Sequence, residues 1–351
     1  MQECVGCLAC AAECPLLKEF GRPIFEVPLE EITYEKAFAC LQCGLCTAAC
    51  PVGLDPSEPF RLKRRELVDN GIMNLEDYSY LFPDEPANTW ALCREIMGIE
   101  YEDIVPAGPT PAVFFPGCTI ATYSPLLTRA CLSFLQRISP GAKAVIECCG
   151  KPLRYMGLDT RADRFLDELG ARLREWQVSR VVVACPNCFY ELAERIGGPH
   201  LEVVDVYSLL YAHRFLLPAN SDRDSLTYTI HDACPDRYKK IFGKQVRALL
   251  EYLNIPVREM RHQGRHTVCC GSGGMAKHFV PGAGAWATQL RVEEAAASGA
   301  RGLLTYCMSC LFNLADHSRG MPVVHALSLI LNVKDEALPN RRLCREALTG
   351  S

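Results

Sequence analysis

Apolar residues along this chain follow two rhythms. Beyond residue 111, short apolar runs bounded by turn residues alternate with stretches in which apolar positions recur every three or four residues. The runs at 112–115, 144–146, 181–184 and 203–206 have the length and bounding turns of buried strands. Residues 162–177 instead set Phe165, Leu169, Leu173 and Trp176 on one helical face, with Asp159 and Thr160 as candidate caps. The series then repeats. Strands are predicted at 227–230, 257–260, 303–306 and 323–324, and helices at 246–253 and 285–297, the second ended by Gly299. Strands alternating with helices predict a mostly parallel sheet in each copy. Within the first 80 residues, 59–68 reads as a helix. Pro83, Pro86, Pro106, Pro109 and Pro111 mark a connector, where a domain boundary belongs. The expected division is 1–80, a connector at 81–110, lobes at 111–218 and 219–335, and a tail at 336–351.

Composition changes this picture through one residue type. The 351 residues include 21 cysteines, while the 49% apolar and 22% charged fractions are those of ordinary globular domains. A net charge of -4 gives no basic field for nucleic acid or an anionic membrane surface. Residues 1–14 hold four cysteines and no long apolar run, so a secretory leader is not expected. The longest apolar stretch, 321–333, is too short to span a bilayer. A cytoplasmic chain is expected, and there such a cysteine load points to metal binding rather than to disulfides.

Spacing says which metal. Cys4, Cys7, Cys10 and Cys14 obey C-x2-C-x2-C-x3-C with Pro15 next, and Cys40, Cys43, Cys46 and Cys50 repeat the pattern with Pro51 next. Three thiolates on one short loop wrap three irons of a [4Fe–4S] cube, and the fourth serves the other cluster. The assignment is therefore Cys4, Cys7, Cys10 and Cys50 to one cubane, and Cys14, Cys40, Cys43 and Cys46 to the other. Zinc sites use two CxxC pairs and have no need of a third cysteine at this spacing. The 25 residues between the two sets, and the helix at 59–68, resemble the α-helical ferredoxin domain of heterodisulfide reductase and fumarate reductase subunits.

The remaining cysteines repeat at long range. Cys118, Cys148, Cys149, Cys185 and Cys188 recur as Cys234, Cys269, Cys270, Cys307 and Cys310, at offsets of 116 to 122 residues. Each adjacent pair is followed by glycine, Gly150 or Gly271. Phe189, Leu192 and Ala193 after the first CxxC are answered by Leu311, Leu314 and Ala315. Two copies of one lobe follow. Both resemble the cysteine-rich CCG domain of heterodisulfide reductase, which occurs also in iron–sulfur subunits of glycolate oxidase and glycerol-3-phosphate dehydrogenase. The resemblance implies an α+β multidomain protein: an α-helical ferredoxin domain, then two pseudo-symmetric α/β CCG lobes. It further implies that each set of five cysteines holds a non-cubane [4Fe–4S] cluster. Gly150 and Gly271 are read as relieving crowding where the backbone approaches it.

The implied activity is single-electron relay through two cubanes to the two non-cubane clusters, which reduce or form a disulfide. The alternative is a non-catalytic electron-transfer subunit of a flavin-dependent 2-hydroxy-acid or glycerol-3-phosphate dehydrogenase. Either implies a hetero-oligomeric complex with a flavoprotein subunit, since flavin splits electron pairs. A small disulfide is the candidate substrate. Lys151, Lys277, His278, Arg237 and Lys239 are candidates to meet its anionic ends, and His231 to relay a proton. Lys151, His231 and Lys277 are the catalytic candidates. Asn187 and Ser309, inside the CxxC motifs, are placed to donate hydrogen bonds to sulfur. Three cysteines remain: Cys131, in the apolar helical stretch 127–138, is expected in the core, and Cys93 and Cys344 are expected to be free thiols.

Overall fold

The computed structural model describes residues 3–218 and 226–349. The N-terminal module is built of short helices, Ala9–Glu13, Pro15–Lys18, Tyr34–Ala39, Leu45–Ala49 and Glu58–Asp69, with 3-10 turns between them. The cysteine motifs themselves interrupt the helices. Gly44, with φ 72°, starts Leu45–Ala49, and Pro15 supplies a first residue with no N–H to leave unpaired. Ile32, Phe38, Phe60 and Leu67 form the centre of the module's core. That core continues onto Leu153 and Met156 of the first lobe and Phe279 of the second.

Each lobe carries a parallel sheet. In the first, β1 (Ala112–Phe115), β2 (Lys143–Ala144), β3 (Arg180–Val183) and β4 (Glu202–Asp205) lie in the order β2-β1-β3-β4. In the second, β5 (Tyr228–His231), β6 (Gly302–Thr305) and β7 (Val323–His325) lie in sequence order. All four residues of β1 and of β5 are buried; β1 therefore reads as an unbroken apolar run, whereas β5 also buries the polar Thr229 and His231. The strand expected at 257–260 is reduced to a single bridge between Val257 and Tyr228. The Pro256 oxygen accepts from the Tyr228 N–H at 2.9 Å and the Arg258 N–H donates to the Tyr228 oxygen at 2.8 Å, after which polar Arg258 and Glu259 carry the chain away from the sheet. The predicted boundary at 218–219 adjoins residues 219–225, which lie outside the described residues.

The helix expected at 162–177 runs from Asp159 to Glu175, so Asp159 lies inside its first turn, and neither it nor Thr160 caps the helix; Leu158 occupies the cap position. The stretch 127–138 lies within helix Pro125–Ile138 and buries Cys131. The lobes share one core, in which Phe189 of the first and Tyr306 of the second both pack on Phe242, at 5.4 and 6.0 Å between ring centroids. Among the described residues no helix is long and apolar enough to cross a membrane.

One expectation fails outright. Cys93 and Cys344 are not free thiols but a disulfide, with Cα atoms 5.5 Å apart across a separation of 251 residues. Helices Thr89–Ile96 and Ala337–Thr349, which carry them, pack on each other and on helix Cys118–Tyr123. The pairing depends on the fold alone, so no local spacing announces it.

Candidate metal centres

The strands deliver the cysteines. Cys118, Cys185, Cys234 and Cys307 each follow the last residue of β1, β3, β5 or β6 by two or three positions. They therefore gather at the carboxyl ends of the parallel strands, where such sheets place ligands. In the N-terminal module the helix starts do the same work on a smaller scale. Cys4, Cys7, Cys10 and Cys50 line one small cavity of about 20 Å³. Cys14, Cys40, Cys43 and Cys46 line a second, of about 30 Å³. Each grouping takes three cysteines from one motif and the last from the other. Cys4 and Cys7 are exposed, whereas Cys40 and Cys46 are buried. Burial pushes the Cys40 thiol up to about 12, with the Arg64 charge working against it. Burial raises Cys46 as well.

Between the lobes lies a much larger cavity of about 360 Å³, and nine of the ten repeated cysteines line it. The tenth, Cys269, sits beneath and contacts Cys234 and Cys270. The sulfurs form a connected series. Cys43 of the N-terminal module lies beside Cys269, and Cys307 of the second lobe lies beside Cys185 of the first. Asn187 reaches across as well, donating from Nδ2 to Cys307 Sγ at 3.9 Å.

The polar candidates separate on inspection. Lys151, Lys277, His278, Asn187 and Ser309 line the cavity, whereas Arg237, Lys239 and His231 do not. Lys151 pairs with Glu191 at 2.9 Å. Among the described residues Lys277 donates to the side-chain oxygen of Asn313, at 3.1 Å, and burial together with the nearby Arg341 charge holds it below the usual lysine range. Lys239 is exposed, over the Tyr190 ring. His231 is fully buried, beside Cys270 and Cys310. Arg341 was missed by sequence reasoning: it lies in a polar terminal helix with no motif, and only the fold brings it to the cavity wall with Trp90, Tyr123 and Phe312.

Arg237 and Arg64 hold the modules together instead. Arg237 donates to the carbonyl oxygens of Cys43 (3.2 Å), Thr267 (2.6 Å) and Arg265 (2.5 Å). Arg64, fully buried, donates to Ala37, Phe38 and Cys40 of its own module, to Tyr155 of the first lobe and to Gly274 of the second. Close backbone approach accompanies these bonds. A Cβ on Gly273 would come within 2.3 Å of the Leu41 oxygen, and one on Gly274 within 2.7 Å of the Cys40 oxygen.

The donor sets fit iron–sulfur clusters. Buried thiolates crowded against one another are costly unless cations sit among them, and thiolate is the ligand such clusters use. All eighteen motif cysteines are free of disulfides. The 4Fe-4S dicluster domain family matches residues 1–54, and the cysteine-rich CCG domain family matches residues 112–193 and again 228–315. This is an iron–sulfur protein of one dicluster domain and two CCG domains. The CCG lobes and dicluster module together are similar to one subunit of the dihydromethanophenazine:CoB–CoM heterodisulfide reductase of Methanosarcina mazei, at 24% identity over 89% of this chain and 81% of the relative. They are 22% identical to an uncharacterized iron–sulfur protein of Methanococcus maripaludis, over 93% of this chain and 72% of that one. One subunit of the fumarate reductase (CoM/CoB) of Methanothermobacter marburgensis is 23% identical over 90% of this chain and 68% of its own. Among solved structures, a hypothetical protein from Helicobacter pylori shares the fold, with a TM-score of 0.51 and 11% identity over 95% of this chain and 68% of that one.

Proposed function

We propose that this chain relays single electrons through two cubane clusters to two non-cubane clusters, and that it reduces, or forms, a disulfide held in the cleft between the CCG lobes. Cys4, Cys7, Cys10 and Cys50 hold one cubane, and Cys14, Cys40, Cys43 and Cys46 the other. Each lobe's five cysteines hold a non-cubane cluster. Clusters of this kind supply electrons one at a time. The observation that carries the reading is the shared cavity, into which both lobes turn cysteines at once.

The chain's own residues then act on the substrate. Trp90, Tyr123 and Phe312 give the cavity apolar walls that exclude water, while Lys277 and His278 offer charge or hydrogen bonds to an anionic end, and Arg341, paired with Asp316 at 2.8 and 2.9 Å, adds its charge at the wall. Lys151 is half-committed to Glu191 and orients rather than binds. Electrons arrive from a flavoprotein partner in a hetero-oligomer. The end of the dicluster module that carries exposed Cys4 and Cys7 also exposes Val5, Leu8 and Phe25, and this is where that partner docks.

The same exposed end supports the second reading, a non-catalytic electron-transfer subunit of a flavin-dependent 2-hydroxy-acid or glycerol-3-phosphate dehydrogenase. Stopped-flow mixing separates the two. Anaerobic, fully reduced protein carrying about sixteen irons per chain is mixed with a panel of small anionic and neutral disulfides. Oxidation of the clusters by an anionic disulfide, slowed by Lys277→Ala and Arg341→Ala, is the expected result. Clusters that stay reduced with every disulfide, yet are oxidised by a quinone or flavin acceptor, would leave the second reading standing.

A further inference from the structure

The two CCG lobes differ at one buried place next to sulfur. β1 and β5 occupy the same position in their lobes, and each ends three residues before its first cysteine. The last residue is Phe115 in the first lobe and His231 in the second. A ring nitrogen of His231 and the sulfurs of Cys270 and Cys310 all lie within 4.8 Å of one another. Nδ1 is engaged by Arg291, whose Nε–H donates to it at 3.2 Å. Nε2 is buried and makes no hydrogen bond among the described residues. Arg291 is itself fully buried, held by Glu294 at 2.6 Å and the His262 carbonyl at 2.7 Å. The spacing of the CCG and CxxC motifs puts Leu169 or Gly170 at its place in the first lobe, and neither can act as a donor.

The partner on Nδ1 decides what Nε2 does. A guanidinium has donors only, so Nδ1 must accept, and a neutral imidazole then carries its proton on Nε2. A nitrogen that carries a proton donates a hydrogen bond and offers no lone pair to iron.

We infer that His231, held in this tautomer by Arg291, donates from Nε2 to the Cys270 sulfur and makes the second CCG site the more readily reduced of the two. The inference rests on the proposal that the second lobe's cysteines hold a cluster. Hydrogen bonds to cluster sulfurs favour the reduced, more negative state, whereas the Arg291 charge is largely balanced by Glu294. The first site has no such donor at this position, since Phe115 is apolar. His231 is thus a positioning residue, not one that meets the substrate. The dicluster module contacts this same lobe through Cys43 and Cys269, so electrons reach the site tuned to accept them.

The test is a reductive titration of the full chain, isolated anaerobically with its iron and followed by EPR. His231→Phe copies the first lobe. It is expected to shift one signal's redox equilibrium about tenfold toward the oxidised form, which is about 59 mV for a one-electron couple, with the other signals unmoved. His231→Gln keeps an acceptor for Arg291 and an N–H for sulfur, and its midpoint stays close to that of the unsubstituted protein. No shift in the Phe variant, or equal shifts in both variants, would overturn the assignment. Pulsed EPR of the unsubstituted protein needs no variant: a weakly coupled nitrogen is expected, and the strong coupling of an iron-bound nitrogen would sink the donor role. Unsubstituted protein that lacks the second lobe's irons would instead refute the cluster reading beneath it.

Discussion

The two CCG lobes share a strand order at their centre and five cysteines each, yet they are built differently around them. In the first lobe the segment just after β1 is apolar, with Pro116, Ile120 and Ala121 buried. The matching positions in the second lobe are Asp232, Asp236 and Arg237, also buried. Asp232 takes Arg247 at 2.8 and 3.0 Å and the Gly264 N–H at 2.7 Å. Asp236 takes Tyr190, Tyr306 and two backbone N–H groups. Arg237 leaves the lobe to hold the dicluster module. The difference teaches that the repeat keeps the cysteines and the strands that present them, while the residues behind them differ. One lobe kept a dry support; the other acquired a polar one that also docks its neighbour.

The largest expected effect comes from breaking that docking. Arg64→Met removes a guanidinium that satisfies five carbonyl oxygens in three modules. Each buried carbonyl left without a partner costs about 1–3 kcal/mol, so a loss of at least about 3 kcal/mol is expected by urea denaturation under argon. If contact with the second lobe dominates the docking, the module is released while the shared lobe core persists. Limited proteolysis would then cut within the first 110 residues before it cuts the lobes. Simultaneous loss of both would show that the module and lobes fold as one unit and that the lobe asymmetry has no mechanical consequence.

A smaller effect is expected from the disulfide, which braces the first lobe's side of the cleft. Cys93→Ser with Cys344→Ser is expected to lower stability by about 2–4 kcal/mol, the usual range for a long closed loop. Helices Thr89–Ile96 and Ala337–Thr349 carry the cavity residues Trp90 and Arg341, so the variant is also expected to bind anionic cleft ligands more weakly. The check is the melting temperature with and without a thiol reductant. The unsubstituted protein shifts and the double variant does not.

Most strands and the lobe repeat were legible in the sequence because buried parallel strands leave unbroken apolar runs and because ligand spacing is a local property. The cavity linings group the N-terminal cysteines as spacing grouped them, for the same reason. What depended on distant partners was not legible. Cys93 finds Cys344 across 251 residues, Arg341 reaches the cleft from a polar terminal helix, and Arg64 reads as one charge among several on an exposed helix until its carbonyl partners are known. The strand expected at 257–260 illustrates the opposite error: only Val257 and Met260 of it are apolar, and the pairing stops after one bridge. Gly150 and Gly271 were given one shared reason, approach to a cluster. The protein atoms that a Cβ would meet at each also differ between the lobes.

That glycine pair gives the finest test of the lobe comparison. Both have positive φ, +73° at Gly150 and +99° at Gly271, so alanine at either meets the left-handed penalty of about 1–2 kcal/mol. Beyond that they part. A Cβ on Gly150 would meet Phe165 at 3.4 Å and the Ala162 oxygen at 3.7 Å, which is ordinary contact. On Gly271 it would collide with Thr288 Oγ1, and it would lie 2.9 Å from the Gly284 oxygen and 3.0 Å from Asn313 Nδ2. Thr288 and Asn313 cannot retreat cheaply, because both bond the Cys270 carbonyl, at 2.9 and 2.6 Å. Overpacking of this kind adds about 1–3 kcal/mol. Gly271→Ala is therefore expected to destabilise the protein by that much more than Gly150→Ala in parallel denaturant titrations. It is also expected to disturb the EPR signal of the second site, through the displaced Cys270 carbonyl, while Gly150→Ala leaves the first site's signal in place. Equal losses at the two glycines would mean that backbone conformation alone sets their cost, and that the tighter wall behind Cys270 yields without consequence.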